Sequence, residues 1–242
     1  MRNMMTGGCV IFDFDGVVAD TENLHLAAHN QALAELAPRI GTRIELTPQI
    51  YFSRYVVYGN HEGFQRMLQD AGAAAAPPLI EELCRVKDRI MDSRLAELAA
   101  PLPGVDQLLA HLARRRVPCG ICSGARRSEI EDLLRAFDLA RYFPVIVAIE
   151  DVRRCKPDPE GYALAWERLR YAARVPIEKN MSLVIEDTAG GAAAARAAGL
   201  RVLGLATSSS LQAVRQWADY AAADLSSLDL RQFDAWLGLT DS

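Results

Sequence analysis

No apolar run in this 242-residue chain approaches the roughly 20 residues that a bilayer span requires, which excludes a transmembrane helix. The opening Met1-Arg2-Asn3-Met4-Met5-Thr6 lacks the apolar core of a signal peptide, so a cytoplasmic protein is expected. Cysteine is sparse: there are five, an odd number without disulfide-like spacing, as suits a reducing compartment. Excess positive charge is missing too. With 27 Lys and Arg against 31 Asp and Glu, the formal net charge is −4, which argues against nucleic acid or an anionic membrane as the main partner. There is no internal repeat. Half the residues are hydrophobic and 24% are charged, which is globular usage rather than disorder. A chain of this length can bury roughly 70–75% of its unfolded surface, in one large domain or two modest ones.

What is present alternates. Short β-rich runs stand near Val10–Phe14, Val117–Ser123, Val145–Ala148, Leu183–Glu186 and Val202–Leu205, with a weaker one near Tyr220–Ala222. Between them Val105–Arg115, Ser128–Phe137, Gly161–Leu169 and Gly190–Ala198 carry helical spacing or composition. Such alternation predicts an α/β fold, a doubly wound parallel sheet wrapped by helices on both faces. One interval departs from it. From Thr21 to Leu98 only helical segments appear, Asn23–Leu36, Glu62–Ala71 and Leu79–Leu98, separated by Pro38, Gly41, Pro48, Gly72, Pro77 and Pro78. A crossover between parallel strands needs only a dozen or so residues, so this interval reads as an inserted all-α domain. Residues 1–19 and 101–242 would form the sheet domain and residues 20–100 the insert. The pair Cys119-Gly-Ile-Cys122 matches a CxxC pattern, but on a strand its thiols point to opposite faces and no second pair completes a zinc site, so both are read as packing cysteines.

Chemistry gathers where the strands end. Asp13-Phe14-Asp15-Gly16 closes the first run, with two carboxylates two residues apart on the same side of extended backbone. Such a pair needs a cation, a shared proton or an escape to water. The second run ends in Ser123-Gly124-Ala125, where backbone N–H groups could meet an anion. Taken alone, the same stretch reads more readily as plain capping by Ser123 or Ser128, with Ser128 and Glu131 suiting a capping box. Lys156 lies beside the rigid Pro157-Asp158-Pro159 segment and could neutralise a phosphoryl group and an aspartate together, or be a solvated loop lysine. The fourth run ends in Glu186-Asp187-Thr188, adjacent acids that suit a hard, oxygen-seeking cation such as Mg²⁺, or serve as helix caps. A parallel sheet would bring all four stretches to one edge, and a common site explains them better than four separate coincidences.

Taken together, Asp13-Phe-Asp15-Gly-Val-Val-Ala-Asp-Thr-Glu22, Ser123-Gly124, Lys156-Pro157 and Glu186-Asp187-Thr188 resemble the motifs of the haloacid dehalogenase superfamily, in order and spacing, over nearly the whole chain. The resemblance implies a Rossmann-like core with a mobile helical cap. It makes Asp13 the nucleophile that becomes an aspartyl-phosphate and Asp15 the general acid–base, with Ser123 and Lys156 holding the phosphoryl group and the amides of Gly124 and Ala125 nearby. It places Mg²⁺ on Asp13, the Asp15 carbonyl and Asp187, with Glu186 as a direct or water-mediated ligand. The family's dehalogenase branch does not keep the second aspartate, so Asp15 argues for phosphoryl transfer.

Asp20-Thr-Glu-Asn-Leu-His25 and the placement of the cap look like the β-phosphoglucomutase-like subgroup, which mixes sugar-phosphate mutases with small-molecule phosphatases. Similar mutases carry a cap arginine in a Gly-x-x-Arg stretch, whereas here Gly59-Asn-His61-Glu62 has glutamate, with Arg54 and Arg66 as the nearby substitutes. A phosphatase acting on a small phosphorylated metabolite, such as a sugar phosphate, is therefore expected over a mutase, as a monomer or simple homodimer. In the same comparison His25 faces the site from the hinge side and Lys87 matches a substrate-facing cap position, so both are candidate substrate-binding residues. His25 and His29 have metal-ligand spacing, but no third ligand is evident and Mg²⁺ would not choose them. Two rivals remain: a non-catalytic phosphate-binding relative, which the intact Asp13 and Asp15 oppose, and a receiver-type signalling domain, which is far smaller and needs no helical insert.

Overall fold

The computed structural model describes residues 7–173 and 176–239; the first six, on which the reading of an absent leader rests, lie outside the described residues. The chain forms two compact units, Met1–Ala19 with Pro101–Ser242, and Asp20–Ala100. In chain order, β1 (Val10–Phe12) precedes the helices of the second unit: α1 (Glu22–Glu35), α2 (Ala37–Ile40), α3 (Pro48–Arg54), α4 (Asn60–Asp70) and α5 (Pro77–Leu98). The first unit resumes with α6 (Val105–Arg114), β2 (Cys119–Cys122), α7 (Arg127–Ala136), β3 (Val145–Val147), α8 (Glu160–Ala172), β4 (Leu183–Glu186), α9 (Ala189–Ala197), β5 (Arg201–Leu205) and β6 (Tyr220–Ala222).

The strands pair in the order β3-β2-β1-β4-β5-β6, every neighbouring pair parallel. The order reverses direction between β1 and β4, and ligands of doubly wound sheets bind outside the carboxyl ends at such a switch point. Side chains alternate across the sheet. On one face Ile11, Val184 and Val202 pack with Tyr162, Ala165 and Leu169 of α8 and Ala192, Ala194 and Ala195 of α9. Each large apolar side chain so buried contributes about 1.5–3 kcal/mol. Phe12, one residue on from Ile11, meets Phe143 edge-on at 5.4 Å.

The helical unit has its own core, built from Leu33, Tyr51, Phe64, Met67, Leu68, Ile80 and Leu83. The prolines that separate its helical stretches do so by starting helices. Pro48 follows the N-cap Thr47, whose hydroxyl accepts from Ile50 N at 3.3 Å, and Pro77 and Pro78 open α5. A first-turn residue has no N–H partner to lose, so proline is at home there. Among the described residues no helix is long and apolar enough to cross a membrane.

Cys9, Cys119 and Cys122 are free and buried. Burial pushes the Cys9 thiol up to about 11 and Cys122 to about 12, with Cys119 higher still. The thiolate is the reactive form. At pH 8 a thiol reagent should therefore modify the partly buried Cys155 well before Cys119 or Cys122, which should label only on unfolding. Rapid labelling of that pair in folded protein, followed by mass spectrometry, would reinstate the redox reading.

Candidate active site

Asp13 follows β1, its amide donating to Ile185 O at 2.9 Å, so the backbone of two neighbouring strands fixes where its side chain emerges. Gly16 then turns with φ +74°, and a Cβ there would lie 2.1 Å from Asp187 Oδ2. Only glycine allows both that conformation and that approach. At the end of β4, Glu186 sits against Gly191, where an added Cβ would fall 1.6 Å from its Oε1. Thr188 caps α9 by accepting from Gly191 N at 3.1 Å.

Lys156 stands at the centre. Its Nζ donates to Asp13 Oδ1 at 2.7 Å, Glu186 Oε1 at 2.8 Å and the Tyr162 hydroxyl at 2.8 Å. Tyr162 in turn donates to Glu186 Oε1 at 2.9 Å. The other Glu186 oxygen accepts from Asp187 N, Thr188 N and Thr188 Oγ1 at 2.9–3.0 Å. Ser123 donates to Asp15 Oδ2 at 3.3 Å and accepts from the Ala125 amide at 2.9 Å. That amide is thus engaged by Ser123. Gly124 borders open space, with nothing within 4 Å of where a Cβ would stand.

The electrostatics follow from burial. Desolvation works against the Lys156 ammonium, yet Asp13 and Glu186 outweigh it and hold its pKa well above the ordinary value. Glu186, which burial would raise, is instead held below the usual carboxylate range by Lys156 and the Thr188 donors. Burial lifts Asp13 well above that range against the pull of Lys156, with Glu186, Asp187 and Asp15 adding to the rise. Burial and then Glu186 push Asp187 up to about 7. Burial and the same glutamate keep the Tyr162 phenol protonated as a donor.

Asp13, Glu186 and Asp187 each offer a carboxylate oxygen within 4.8 Å of the others. With all three buried carboxyl groups ionised, one ammonium would leave two negative charges unmatched, which is why Asp13 and Asp187 hold their protons more tightly than free carboxyls. Asp187 Oδ1 is buried with no hydrogen-bond partner among the described residues. Hard oxygen donors, a surplus of two charges on full ionisation and an orphaned oxygen fit a divalent cation that prefers oxygen.

The sheet unit therefore brings together Asp13, Asp15, Ser123, Lys156, Glu186 and Asp187, as well as Ala125 through Ser123. His25 and Lys87 meet in the helical unit, where buried Lys87 donates to Asn60 Oδ1 at 2.8 Å and lies 2.9 Å from His25 Nδ1. An ammonium there makes Nδ1 the acceptor. His29 is cap packing: its Nδ1–H donates to His25 O at 2.8 Å, and its ring lies against Tyr51 and Phe64. The capping box expected at Ser128 and Glu131 is displaced. Glu129 accepts from the Arg126 amide at 3.1 Å, because α7 begins two residues earlier than a Ser128 cap would place it. Sequence reasoning missed Tyr162, Thr207 and Ser208. Thr207 Oγ1 donates to Gly16 O at 2.6 Å and Ser208 Oγ donates to Asp187 Oδ2. The only signal was the hydroxyl run Thr207–Ser210 just past the fifth strand.

Fold and site together define a Rossmann-like α/β protein with an acidic, lysine-centred cluster at the switch point of its sheet. A model of the haloacid dehalogenase-like hydrolase family matches residues 10–205, and the chain belongs to that family. It is 28% identical over 207 residues to the phosphorylated carbohydrates phosphatase of Thermotoga maritima, covering 81% of this chain and 84% of that one. It is 31% identical over 198 residues to protein CbbY of Cereibacter sphaeroides, covering 80% and 82%. The crystal structure of CbbY from Rhodobacter sphaeroides in complex with phosphate aligns with a TM-score of 0.80 at 27% identity, over 97% of this chain and 100% of that one.

Proposed function

We propose that the protein is a Mg²⁺-dependent phosphatase that hydrolyses a small phosphorylated metabolite, a sugar phosphate by its relatives, through an aspartyl-phosphate on Asp13. The observation that carries this reading is the Asp13 carboxylate, buried at the switch point with one oxygen 2.7 Å from Lys156 and Asp15 two residues on. A carboxylate attacks an anionic phosphate monoester only where cations cancel the repulsion, so catalysis here is positioning and charge stabilisation. Asp13 forms the O–P bond as the ester O–P bond breaks, and the leaving oxygen takes its proton from Asp15. Water then attacks phosphorus, gives a proton back to Asp15 and releases inorganic phosphate and free Asp13. Lys156 and Ser123 hold the phosphoryl oxygens throughout. Asp13, Asp187 and the Asp15 carbonyl would hold Mg²⁺, with Glu186 as a direct or water-mediated ligand; the ion would neutralise charge on phosphoryl group and nucleophile.

The alternative is a β-phosphoglucomutase-type transfer, which must steady a second phosphate. The two cap arginines that could do so already face acids: Arg66 pairs with Glu62 at 2.9 Å and Arg54 with Asp70 at 3.7 Å. That favours hydrolysis. Given β-glucose 1-phosphate with a trace of glucose 1,6-bisphosphate, the protein should release inorganic phosphate faster than it forms glucose 6-phosphate. The reverse ratio would establish the mutase.

A further inference from the structure

The segment after β5 reaches back to the site at two points. Thr207 Oγ1 donates to Gly16 O at 2.6 Å and lies 3.5 Å from Asp187 Oδ2, the oxygen that Ser208 Oγ also contacts. Asp187 therefore has one oxygen held by the Ser208 hydroxyl, with Thr207 Oγ1 beside it, and the other, Oδ1, is buried without a partner among the described residues. The loop after β1 is pinned in the same way. Gly16 N–H donates to Ala19 O at 2.9 Å while its carbonyl accepts from Thr207. A peptide unit is planar and trans, so fixing the Gly16 N–H also fixes the direction of the Asp15 carbonyl, which points the opposite way. The two hydroxyls thus act on the side chain of Asp187 and on the backbone that carries the Asp15 carbonyl.

We infer that Thr207 and Ser208 are positioning residues for the divalent cation: they orient Asp187 so that Oδ1 faces the ion and hold the Asp13–Gly16 turn in register with it. Neither need touch ion or substrate. This inference rests on the metal reading of the preceding section. Partners that orient a metal's ligands typically change its affinity 10–100-fold when removed. Without Ser208, Oδ2 of Asp187 loses its donor and the carboxylate can rotate away from the orientation that presents Oδ1. Without Thr207, the Gly16 carbonyl loses its donor and the turn can shift away from Asp187.

The test is Mg²⁺ affinity, read by calorimetry and by the rise of melting temperature with Mg²⁺, in Ser208→Ala, Thr207→Val, the hydroxyl-keeping Thr207→Ser and Ser208→Thr, and Asp187→Asn. Metal-free melting temperature is recorded for each, so that folding is separated from binding. Ser208→Ala and Thr207→Val should bind Mg²⁺ 10–100-fold more weakly, and Thr207→Ser should keep near-normal affinity. Wild-type affinity in folded Ser208→Ala and Thr207→Val, with Asp187→Asn impaired, overturns the positioning role. Wild-type affinity in Asp187→Asn overturns the metal reading itself.

Discussion

Replacing Asp13 by Asn should lower turnover at least about 10³-fold while leaving a folded protein. Substitution of a covalent nucleophile removes the step that every later step depends on, and losses of about 10⁴-fold or more accompany such changes in well-studied hydrolases. Asn keeps the volume of Asp13 and an oxygen that can accept from Lys156, which now sits 2.7 Å from Oδ1. The fold gains from the change. Burial and the neighbouring acids make the Asp13 charge costly, and removing it leaves two carboxylates for Lys156 rather than three. Metal-free Asp13→Asn should accordingly melt no lower than the wild type at pH 8. Steady-state release of phosphate from a sugar phosphate, with circular dichroism on the same samples, measures both. Turnover above about a tenth of the wild type would remove Asp13 from the nucleophile's role.

The strands were legible because a strand buried on both faces reads as a continuous apolar run, as Val10-Ile11-Phe12 and Leu183-Val184-Ile185 do. Their carboxyl ends were legible because acids, a lysine and a small hydroxyl residue are poor company for a buried strand tip unless they work together. The hydroxyls of Tyr162, Thr207 and Ser208 were not. Tyr162 lies on a helix face where an aromatic is ordinary core, and only the fold shows its phenol between Lys156 and Glu186. Ser208 is 21 residues from Asp187, and their contact depends on the β4–β5 register, which pairs Glu186 with Gly204. Helix starts were misread for a local reason. Proline excludes itself from helix interiors but not from first turns, and a serine near a helix start attracts a capping assignment whether or not the chain turns there. The insert was visible as an interval without strands, whereas α2 and α3 are too short for periodicity to reveal.

Lys156→Met should abolish most activity, about 10²–10³-fold, and should also destabilise the protein in a manner that depends on pH with a definite sign. The activity loss is that of removing one preorganised donor to a charged transition state. The stability loss comes from stripping the counter-charge from buried Asp13 and Glu186, and breaking such a pair costs about 3–5 kcal/mol when the remaining charge cannot escape. Here it can escape by taking a proton. In the wild type Lys156 holds Glu186 below its ordinary value of 4.5, so that group contributes stability above this pH and loses it as pH falls. Without Lys156 only burial and neighbouring acids remain, and these raise carboxyl pKa values above those of the unfolded chain. A raised carboxyl contributes a penalty that grows as pH rises through the folded value. The deficit of Lys156→Met relative to wild type should therefore be small at pH 5 and several kcal/mol at pH 8, and Lys156 itself adds no slope because it stays protonated throughout. Urea denaturation of both proteins at the two pH values, without metal, measures the difference. An equal deficit at pH 5 and pH 8 would mean that Lys156 stabilises the fold by packing alone and does not serve as the counter-charge on which the site is built.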